Sequence, residues 1–563
     1  MFKYKKKSII ALLIAAILCV SGCGSSQSST AQTESSESAE YSLEEMFSDR
    51  DFEIGYDEAG STVINLESTV TISEEGTYIL KGSLSDGMVI VDADKSDKIQ
   101  IVLDNVDISS STSAAIYVKQ ADKVFITLAA DSENILSNGG EFVAIDDNNI
   151  DAVIFSKDDI TINGNGSLTI KSPAGHGIVS KDDLKITSGE YTIDSMKDGL
   201  SGKDSVKIAN GTINISSKGD GISSEGIVYI EDGVFDIITG GGSENAKMKT
   251  GMDDMMNRPG GMRGGKNENM SEGDNRMPAG DPANPKELNT DYSVSDDEAS
   301  DTTSTKGIKA EELLMINGGT FNLDCVDDGI HSNTDVMING GSFTIKTGDD
   351  GIHGENELTV SGGSIDISKC YEGLEADNLT IANGNISVVS NDDGINAASA
   401  INIKGGTIDV TSTGDCIDSN GDCFISGGTI TLNNSSVGGG EGILDFDGDS
   451  SITGGVLMAV GPYEGAINFG SSSTQGSMVV SVGQQSENTE VKLLDSDGNE
   501  VVSYTPKVAF SGLVISSPNI KSGNTYKVVV GDEETEVKMD SLIYGGNSGN
   551  MMGGPGNKGM KNH

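Results

Sequence analysis

The stretch DDGIHSNTDVMINGGSFTIKTG, from Asp327 to Gly348, is followed directly by DDGIHGENELTVSGGSIDISKC, from Asp349 to Cys370. Both begin with two acidic residues, a glycine, an isoleucine and a histidine, so the motif returns after 22 positions. Each unit also holds short alternating runs, such as SFTIK from Ser342 to Lys346, separated by glycine turns. Alternation with period two between glycine turns is typical of brief β-strands. A fixed period of this length indicates a repeat fold whose core grows by stacking units.

The same frame runs through most of the 563 residues. Aligning the Gly-Ile or Gly-Leu step places successive units at Gly177, Gly199, Gly221, Gly307, Gly329, Gly351, Gly373, Gly394, Cys416 and Gly442. Outside one long interruption the steps are 22 residues, apart from one of 21 and a last one of 26. Three short strands per unit predict an all-β fold, a parallel β-helix with about 22 residues per rung. Leucine-rich repeats share this length, but their consensus leucine and asparagine positions are missing.

Apolar residues keep the same place in each unit, and we expect them to form one continuous core. In one unit these residues are Ile330, Ile338 and Ile345. In a β-helix, equivalent residues of neighbouring rungs lie about 4.8 Å apart. A single rung could not bury such residues by itself, whereas stacked rungs can.

The period is lost at both ends and at one interruption, which divides the chain into seven parts. These are a lipoprotein signal peptide (1–22), a flexible tether (23–55), an N-terminal cap with the first rungs (56–239), a disordered insertion rich in Met, Gly and Asp (240–305), the remaining rungs (306–470), a small C-terminal β unit (471–545) and a disordered tail (546–563).

The N-terminus has the pattern of a secretory signal. Four lysines within residues 3–7 precede an apolar run from Ile9 to Val20, which is too short to span a bilayer comfortably. Val20-Ser21-Gly22-Cys23 looks like a bacterial lipobox, which predicts lipidation of Cys23 and attachment to the membrane through that lipid. We therefore expect a lipoprotein on the extracellular face of the cytoplasmic membrane.

The composition restricts the possible partners. A formal net charge of −50 argues against nucleic acid, because phosphates would be repelled. We expect a monomer. Apart from Cys19 and Cys23, the spacing of the cysteines fits neither a metal site nor a disulfide framework, so we expect packed free thiols. A disulfide between Cys416 and Cys423 is the alternative, if a turn brings the two together.

Acidic residues occupy fixed places around the framing position. They stand one or two positions before it or two positions after it, and we predict that they bind metal together with Asn396. This candidate set is Asp198, Asp220, Asp327, Asp328, Asp349, Asp350, Glu372, Asp392, Asp393, Asn396, Asp415 and Asp418. Asp-Gly is also a good turn former, which would explain isolated cases without a metal.

Stacked carboxylates need a counter-charge. Two like charges about 5 Å apart repel by roughly 0.8 kcal/mol in water and about 3 kcal/mol at an effective dielectric constant of 20. Calcium tolerates six to eight oxygen ligands in flexible geometry, so Ca2+ is the predicted cofactor.

Two positions after the frame stand His331, His353 and Glu375, which we interpret as ligand-facing side chains. Zinc on the two histidines is the competing interpretation, but the rest of this frame offers only oxygen.

Several segments resemble a known family: IFSKDDITINGNGSLTI, HGIVSKDDLKITSG, KDGLSGKDSVKI, KGIKAEELLMINGGTF and DDGIHS. Together they are similar to the clostridial carbohydrate-binding β-helix family, whose fold is similar to the family-nine pectate lyases. The resemblance runs from about Ser61 to Gly455. It implies a right-handed parallel β-helix, whose stacked rungs we call the coil. It also implies bound calcium with ligands at Asp328, Asp350 and Asp393, and affinity for plant or other acidic polysaccharide.

The favoured function is calcium-dependent binding of a uronate-containing polysaccharide without catalysis. A bound calcium ion could bridge to a uronate carboxylate that the acidic surface would otherwise repel. One alternative is a calcium-dependent lyase with Lys309 or Lys306 as the base, although carboxylates around a lysine favour its charged form. A surface adhesin without glycan chemistry is the other alternative.

Overall fold

The computed structural model describes residues 41–247, 304–436 and 442–548. The predicted signal peptide, Cys23, the first part of the tether, most of the insertion and the tail from residue 549 lie outside the described residues. Within them the regular secondary structure is almost entirely β-strand, and 41 strands join in one large, mostly parallel sheet. The all-β prediction is confirmed, and the arrangement is consistent with a parallel β-helix.

Each rung contributes strands to three stacks, in which a strand pairs with its counterparts in the preceding and following rungs. The first stack contains Val70–Ile72, Val89–Asp92, Ile116–Gln120, Ala152–Ser156, His176–Ser180, Leu200–Gly202, Ile222–Ser224, Ile308–Ala310, Ile330–Ser332, Ile352–Val360, Leu374–Ile381, Ile395–Ile403, Ile417–Ser419 and Leu444–Phe446. The second stack contains Thr62–Asn65, Gly76–Leu84, Lys98–Ser110, Lys123–Leu128, Asp159–Gly164, Asp183–Ile186, Ser205–Ile208, Ile227–Ile230, Leu313–Ile316, Asp335–Ile338, Asp422–Ile425 and Ser450–Ile452. The third stack contains Glu133–Asn138, Ser167–Ser172, Glu190–Ser195, Thr212–Ser217, Val234–Thr239, Thr320–Cys325, Ser342–Thr347, Ser364–Cys370, Asn385–Ser390, Thr407–Ser412, Thr429–Asn434 and Val456–Gly461. Five long strands extend from one stack into the next, namely Gly76–Leu84, Lys98–Ser110, Ile352–Val360, Leu374–Ile381 and Ile395–Ile403.

The strand register places the repeated isoleucines in one inward column. Its members, each paired with the next, are Ile222, Ile308, Ile330, Ile352, Leu374, Ile395, Ile417 and Leu444. All are buried, and they belong to a core that continues through the coil. Phe321 stacks between Phe235 and Phe343 in the same core, with ring centroids 4.5 and 4.6 Å apart. Burial of this column gives each rung apolar contacts that it could not make alone.

The glycine of the DDGIH motif is required by close packing between rungs. A Cβ on Gly329 would lie 2.7 Å from the carbonyl oxygen of Gly351 and 2.8 Å from Ile345. The turn glycine Gly341 has a different reason, because its φ of 105° lies where side chains are strained.

The insertion does not change the pairing of strands between the rungs on either side of it. Ile222–Ser224 pairs directly with Ile308–Ala310, so the chain returns to the next rung after the interruption. The prediction of disorder from residue 240 is wrong at the start, where Ser243–Asn245 forms a 3-10 turn. The Ser243 N–H donates to Asp324 at 2.6 Å, and Lys369 contacts Glu244 at 3.0 Å.

The prediction of a flexible tether over residues 23–55 is wrong for residues 43–52, which form two helical turns. A helical turn at Leu43–Met46 precedes a 3-10 turn at Asp49–Phe52. Asp51 is fully buried against the outer side of the second stack, where Lys123 Nζ approaches its carboxylate at 2.8 Å and Thr161 donates to it at 2.6 Å. This part of the chain is therefore fixed to the coil.

The C-terminal unit continues the sheet in antiparallel pairing. Phe510–Ser517 lies antiparallel between Val456–Gly461 and Gly476–Gln485, whereas Ile543–Tyr544 adds to Gly476–Gln485 in parallel. The other strands form a four-stranded antiparallel sheet of Glu500–Tyr504, Val491–Leu494, Thr525–Val530 and Glu533–Lys538, and a two-stranded pair of Ile467–Asn468 and Asn547–Ser548. Among the described residues, no helix has the length and hydropathy needed to cross a membrane.

Candidate functional site

The repeated acidic residues lie in the turn that leads from the third stack into the first stack of the next rung. One position per rung is buried or half-buried there, and we call this series the acidic ladder. Its members are His176, Asp198, Asp220, Lys306, Asp328, Asp350, Glu372, Asp393 and Asp415. Backbone bonds between rungs fix the turn, since the Gly329 N–H donates to the Asp350 carbonyl at 3.0 Å.

Ladder side chains also hold the backbone of the following rung. Asp198 Oδ1 accepts the Asp220 N–H at 2.9 Å, and Asp393 Oδ1 accepts the Asp415 N–H at 2.7 Å. His176 replaces a carboxylate in this role, because its Nδ1 accepts the Asp198 N–H at 3.2 Å. One function of the ladder is therefore structural, and the spacing of the residues along the chain does not reveal it.

Two positions after each framing residue, side chains form an outward column on the first stack. Strand pairing places Lys309, His331, His353, Glu375, Asn396, Asp418 and Asp445 one after another. The structure thus brings the predicted ligand-facing residues onto one face, beside the acidic ladder.

Lys306 interrupts the ladder with a positive charge. Its Nζ lies 3.0 Å from Asp327 and 2.5 Å from Asp328. Burial works against the ammonium, but these two carboxylates outweigh burial and hold the pKa of Lys306 well above its usual value. The predicted group of Asp327, Asp328 and Asp349 is assembled, and Lys306 already supplies a cation to two of its carboxylates. Lys309 instead pairs with Glu311 at 2.9 Å.

Next along the outward column, two imidazoles meet three carboxylates. His331 Nδ1 lies 2.8 Å from Asp328 Oδ2, and His353 Nδ1 lies 3.3 Å from Asp350 and 3.0 Å from Glu375. The two rings are 4.8 Å apart. Burial opposes the imidazolium, but Asp350 and Glu375 outweigh it and raise the pKa of His353 to about 11. Burial also raises the pKa of Asp350, and the neighbouring carboxylates add to this rise.

Glu372 and Asn396 are joined within the same face. The Asn396 Nδ2 group donates to Glu372 at 2.8 Å, while Asn396 Oδ1 is buried and accepts no hydrogen bond. Burial, reinforced by the charge of Glu375, raises the pKa of Glu372 well above its usual value.

The last described rungs assemble a group made of carboxylates alone. One oxygen from each of Asp415, Asp418 and Asp445 lies within 4.8 Å of the others. Asp445 was not predicted, because the final step of the repeat was wrong. Ile417 pairs with Leu444, so this step is 27 residues rather than 26, and Gly442, taken as the framing residue, occupies the ladder position instead.

The remaining predicted ligands are dispersed. In the described part of the chain, five of them join no group of three metal-ligating carboxylate, imidazole or thiol side chains, namely Asp198, Asp220, Glu372, Asp392 and Asp393. Asp198 contacts His176 and Ser223 instead, and Asp220 accepts hydrogen bonds from Ser304 and the Lys306 N–H. Cys416 and Cys423 are buried free thiols, so the disulfide left open by the sequence is not formed.

Comparison with known proteins identifies the family. A family model described as "Carbohydrate-binding domain-containing protein" matches residues 66–351 and 349–471, which is more than half of the chain. The chain belongs to this family. A relative with the same description, from Acetivibrio thermocellus, is 37% identical over 190 residues. That match spans 33% of this chain and 65% of the relative, which is less than two thirds of the relative's length.

A solved structure is also similar to part of this chain. It is described as the polysaccharide lyase-like protein from C. thermocellum, in a gadolinium derivative. The match has 24% sequence identity and covers 55% of this chain and 94% of that one, with a TM-score of 0.32. The family description names a carbohydrate-binding domain.

Proposed function

We propose that this protein binds an acidic, uronate-containing polysaccharide through calcium held on the outward column. The observation that carries the proposal is the group of Asp415, Asp418 and Asp445, whose carboxylate oxygens lie within 4.8 Å of one another. This group lies on the same face as the ladder and the histidines.

Calcium suits this group because of its ligand chemistry. Ca2+ is bound by carboxylates, amide carbonyls and water, and it accepts irregular arrangements of these oxygens. Asn396 precedes Asp418 by one rung in the outward column, and its buried amide oxygen lacks a hydrogen-bond partner. A buried carbonyl oxygen without a partner costs free energy, which a nearby cation would recover. Three carboxylates and an amide oxygen give a mainly anionic oxygen site.

The acidic ligand follows from the charge and shape of the face. Equivalent side chains repeat at about 4.8 Å along the coil, which offers a linear polymer many similar contacts. A chain with a net charge of −50 repels a polyuronate unless cations lie between them. Calcium bound to Asp418 and its neighbours would provide such a bridge.

The lysine geometry disfavours the lyase alternative for Lys306. Its ammonium is held by Asp327 and Asp328, and a lysine whose pKa is raised is a poor general base. Lys309, paired with Glu311, is the other candidate.

The proposal includes the setting of the coil. Its connections are expected to be right-handed, as nearly all parallel strand crossovers are. Lipidation at Cys23 would place the coil, as a monomer, outside the cytoplasmic membrane.

Polygalacturonate binding with and without Ca2+ tests the proposal. We expect calorimetry to show Ca2+ binding to the wild type, and polygalacturonate binding that requires Ca2+ and is abolished by EDTA. The double variant Asp418→Asn with Asp445→Asn should lose both. Asp366→Asn, which removes an exposed acid on the third stack, is the matched control and should keep both. Binding that persists in EDTA would overturn the calcium bridge, and absence of binding to every acidic glycan would overturn the ligand class.

A further inference from the structure

Two histidines on consecutive rungs share a cluster with Asp328, Asp350 and Glu375. The cluster contains two groups of three metal ligands, one with Asp328, His331 and His353, the other with Asp350, His353 and Glu375. In each group, one ligand atom per residue lies within 4.8 Å of the other two. The sequence argued against zinc because the frame offered only two histidines. Folding supplies the missing carboxylate ligands from the ladder and from the next rung.

The hydrogen bonds of His331 indicate which nitrogen is available. Its Nε2 lies 2.8 Å from Asn333 Oδ1, and the Asn333 amide group donates to Glu311. Asn333 therefore presents an acceptor, so Nε2 carries the proton and donates it. In the neutral ring Nδ1 then has a lone pair. It is buried and faces Asp328 Oδ2 at 2.8 Å.

Lys306 Nζ lies 2.5 Å from the same Asp328 oxygen and so stabilises that carboxylate from one side. A metal-binding imidazole commonly donates its other N–H to a carbonyl or carboxylate, which fixes the ring orientation. Asn333 holds His331 in that way, with Nδ1 directed towards Asp328.

The charges around the two histidines also favour a bound cation. The two imidazoles contact Asp328, Asp350, Glu355 and Glu375, while Lys306 is shared between Asp327 and Asp328. Further positive charges are therefore needed beside these acids. Two imidazolium protons would supply them, and so would one divalent metal ion bound to two neutral imidazoles.

We propose that His331 and His353, together with carboxylates from Asp328, Asp350 and Glu375, bind one divalent transition-metal ion of the zinc class. Imidazole with carboxylate ligands suits zinc and its neighbours, whereas calcium prefers oxygen alone. The site shares no residue with the proposed calcium site: His353 lies three rungs from Asp418, about 14 Å at strand spacing, and Glu375 and Asn396 are the members on neighbouring rungs. It does not depend on the proposed function.

Titration of the full chain with Co2+ tests this site, because bound Co2+ absorbs visible light according to its ligands. We expect one equivalent of Co2+ to give ligand-field bands, and Zn2+ to remove them. His331→Ala and His353→Ala should each lower Co2+ affinity more than about tenfold, and Asn333→Ala, which frees the ring, about 10- to 100-fold.

The chain provides matched controls among its four histidines. His176 is a ladder histidine that contacts Asp151 and Asp198, and His563 is near the C-terminus. His176→Ala and His563→Ala should leave the Co2+ bands unchanged. The variant Asp418→Asn with Asp445→Asn should bind Co2+ normally, and excess Ca2+ should not displace Co2+.

Loss of the bands in His176→Ala but not in His331→Ala, or bands unchanged in all four histidine variants, would overturn the proposal. A second measurement avoids variants that fold poorly. Carbethoxylation of the wild type, mapped by peptide mass, should show Zn2+ protecting His331 and His353 but not His176. Equal modification with and without Zn2+ would overturn the proposal as well.

Discussion

The main-chain N–H of Asp350 donates a hydrogen bond of 3.1 Å to Asp328 Oδ1, the carboxylate at the same position of the preceding rung. The Glu372 N–H repeats the contact with Asp350 at 3.3 Å. Each acid therefore has one oxygen on the backbone of the next rung, while Oδ2 of Asp328 and of Asp350 contacts an imidazole. Because one oxygen of each acid binds the backbone of the next rung, an acid at this position stabilises the fold even where no ligand binds.

Removal of one ladder acceptor should destabilise the coil. Asp198→Ala leaves the Asp220 N–H without its acceptor, and an unsatisfied buried donor costs about 1–3 kcal/mol. Asp198→Asn keeps an oxygen at this place and should lose less than half as much. Urea unfolding of the two variants measures the difference. Equal losses would show that charge, rather than the hydrogen bond, is what matters at Asp198.

The framing glycine should tolerate no side chain. Gly329→Ala places a Cβ 2.7 Å from the Gly351 carbonyl, and overpacking of this kind costs about 1–3 kcal/mol. Gly55→Ala is the control, because a Cβ there meets nothing within 4 Å. In thermal unfolding, Gly329→Ala should have a lower midpoint temperature than the wild type, and Gly55→Ala should not. A midpoint equal to that of the control would contradict the packing argument.

Asp51 should make stability depend on acid pH. Burial raises its pKa, but hydrogen bonds from Lys123, Thr161 and Ser48 outweigh burial and lower the pKa to about 2. The unfolded value is about 3.9, so the folded state favours the ionised form. This contribution, about 2 kcal/mol, is fully present above pH 5 or so and is lost as the pH falls towards about 2.

The variant Asp51→Asn isolates that contribution. The difference in unfolding free energy between wild type and Asp51→Asn should be largest at neutral pH and shrink between about pH 4 and 2. Urea titrations across this range provide the measurement. A difference that stayed constant would mean that the Asp51 pKa is not lowered by folding.

Calcium should stabilise the folded protein if the carboxylate group binds it. A ligand at about 100 times its dissociation constant adds about 2.7 kcal/mol to the free energy of unfolding. Ca2+ should therefore raise the melting temperature of the wild type, and EDTA should reverse the rise. The double variant Asp418→Asn with Asp445→Asn should have the same melting temperature in Ca2+ as in EDTA. Stabilisation retained in that variant would place the ion elsewhere.

Much of the fold could be predicted from the spacing of a few residues. Because parallel strands pair in register, a 22-residue period implies that His331 and His353 are neighbours, and they pair in the structure. The same reasoning failed where the period changed. The step from Ile417 to Leu444 has 27 residues, so Asp445 was missed. The N-terminal turns were missed because their partners, such as Thr161, lie more than 100 residues away.

The sequence by itself determined the stacked strands, the inward isoleucine column and the placing of acids and histidines on one face, because a repeat in register converts spacing along the chain into position in space. Only the tertiary structure decided which oxygen holds the backbone and which one faces a cation. Hydrogen bonds and ion pairs depend on ångström distances and on burial. Lys306 between two aspartates and Asn333 beside His331 are contacts of that kind, and no period in the sequence records them.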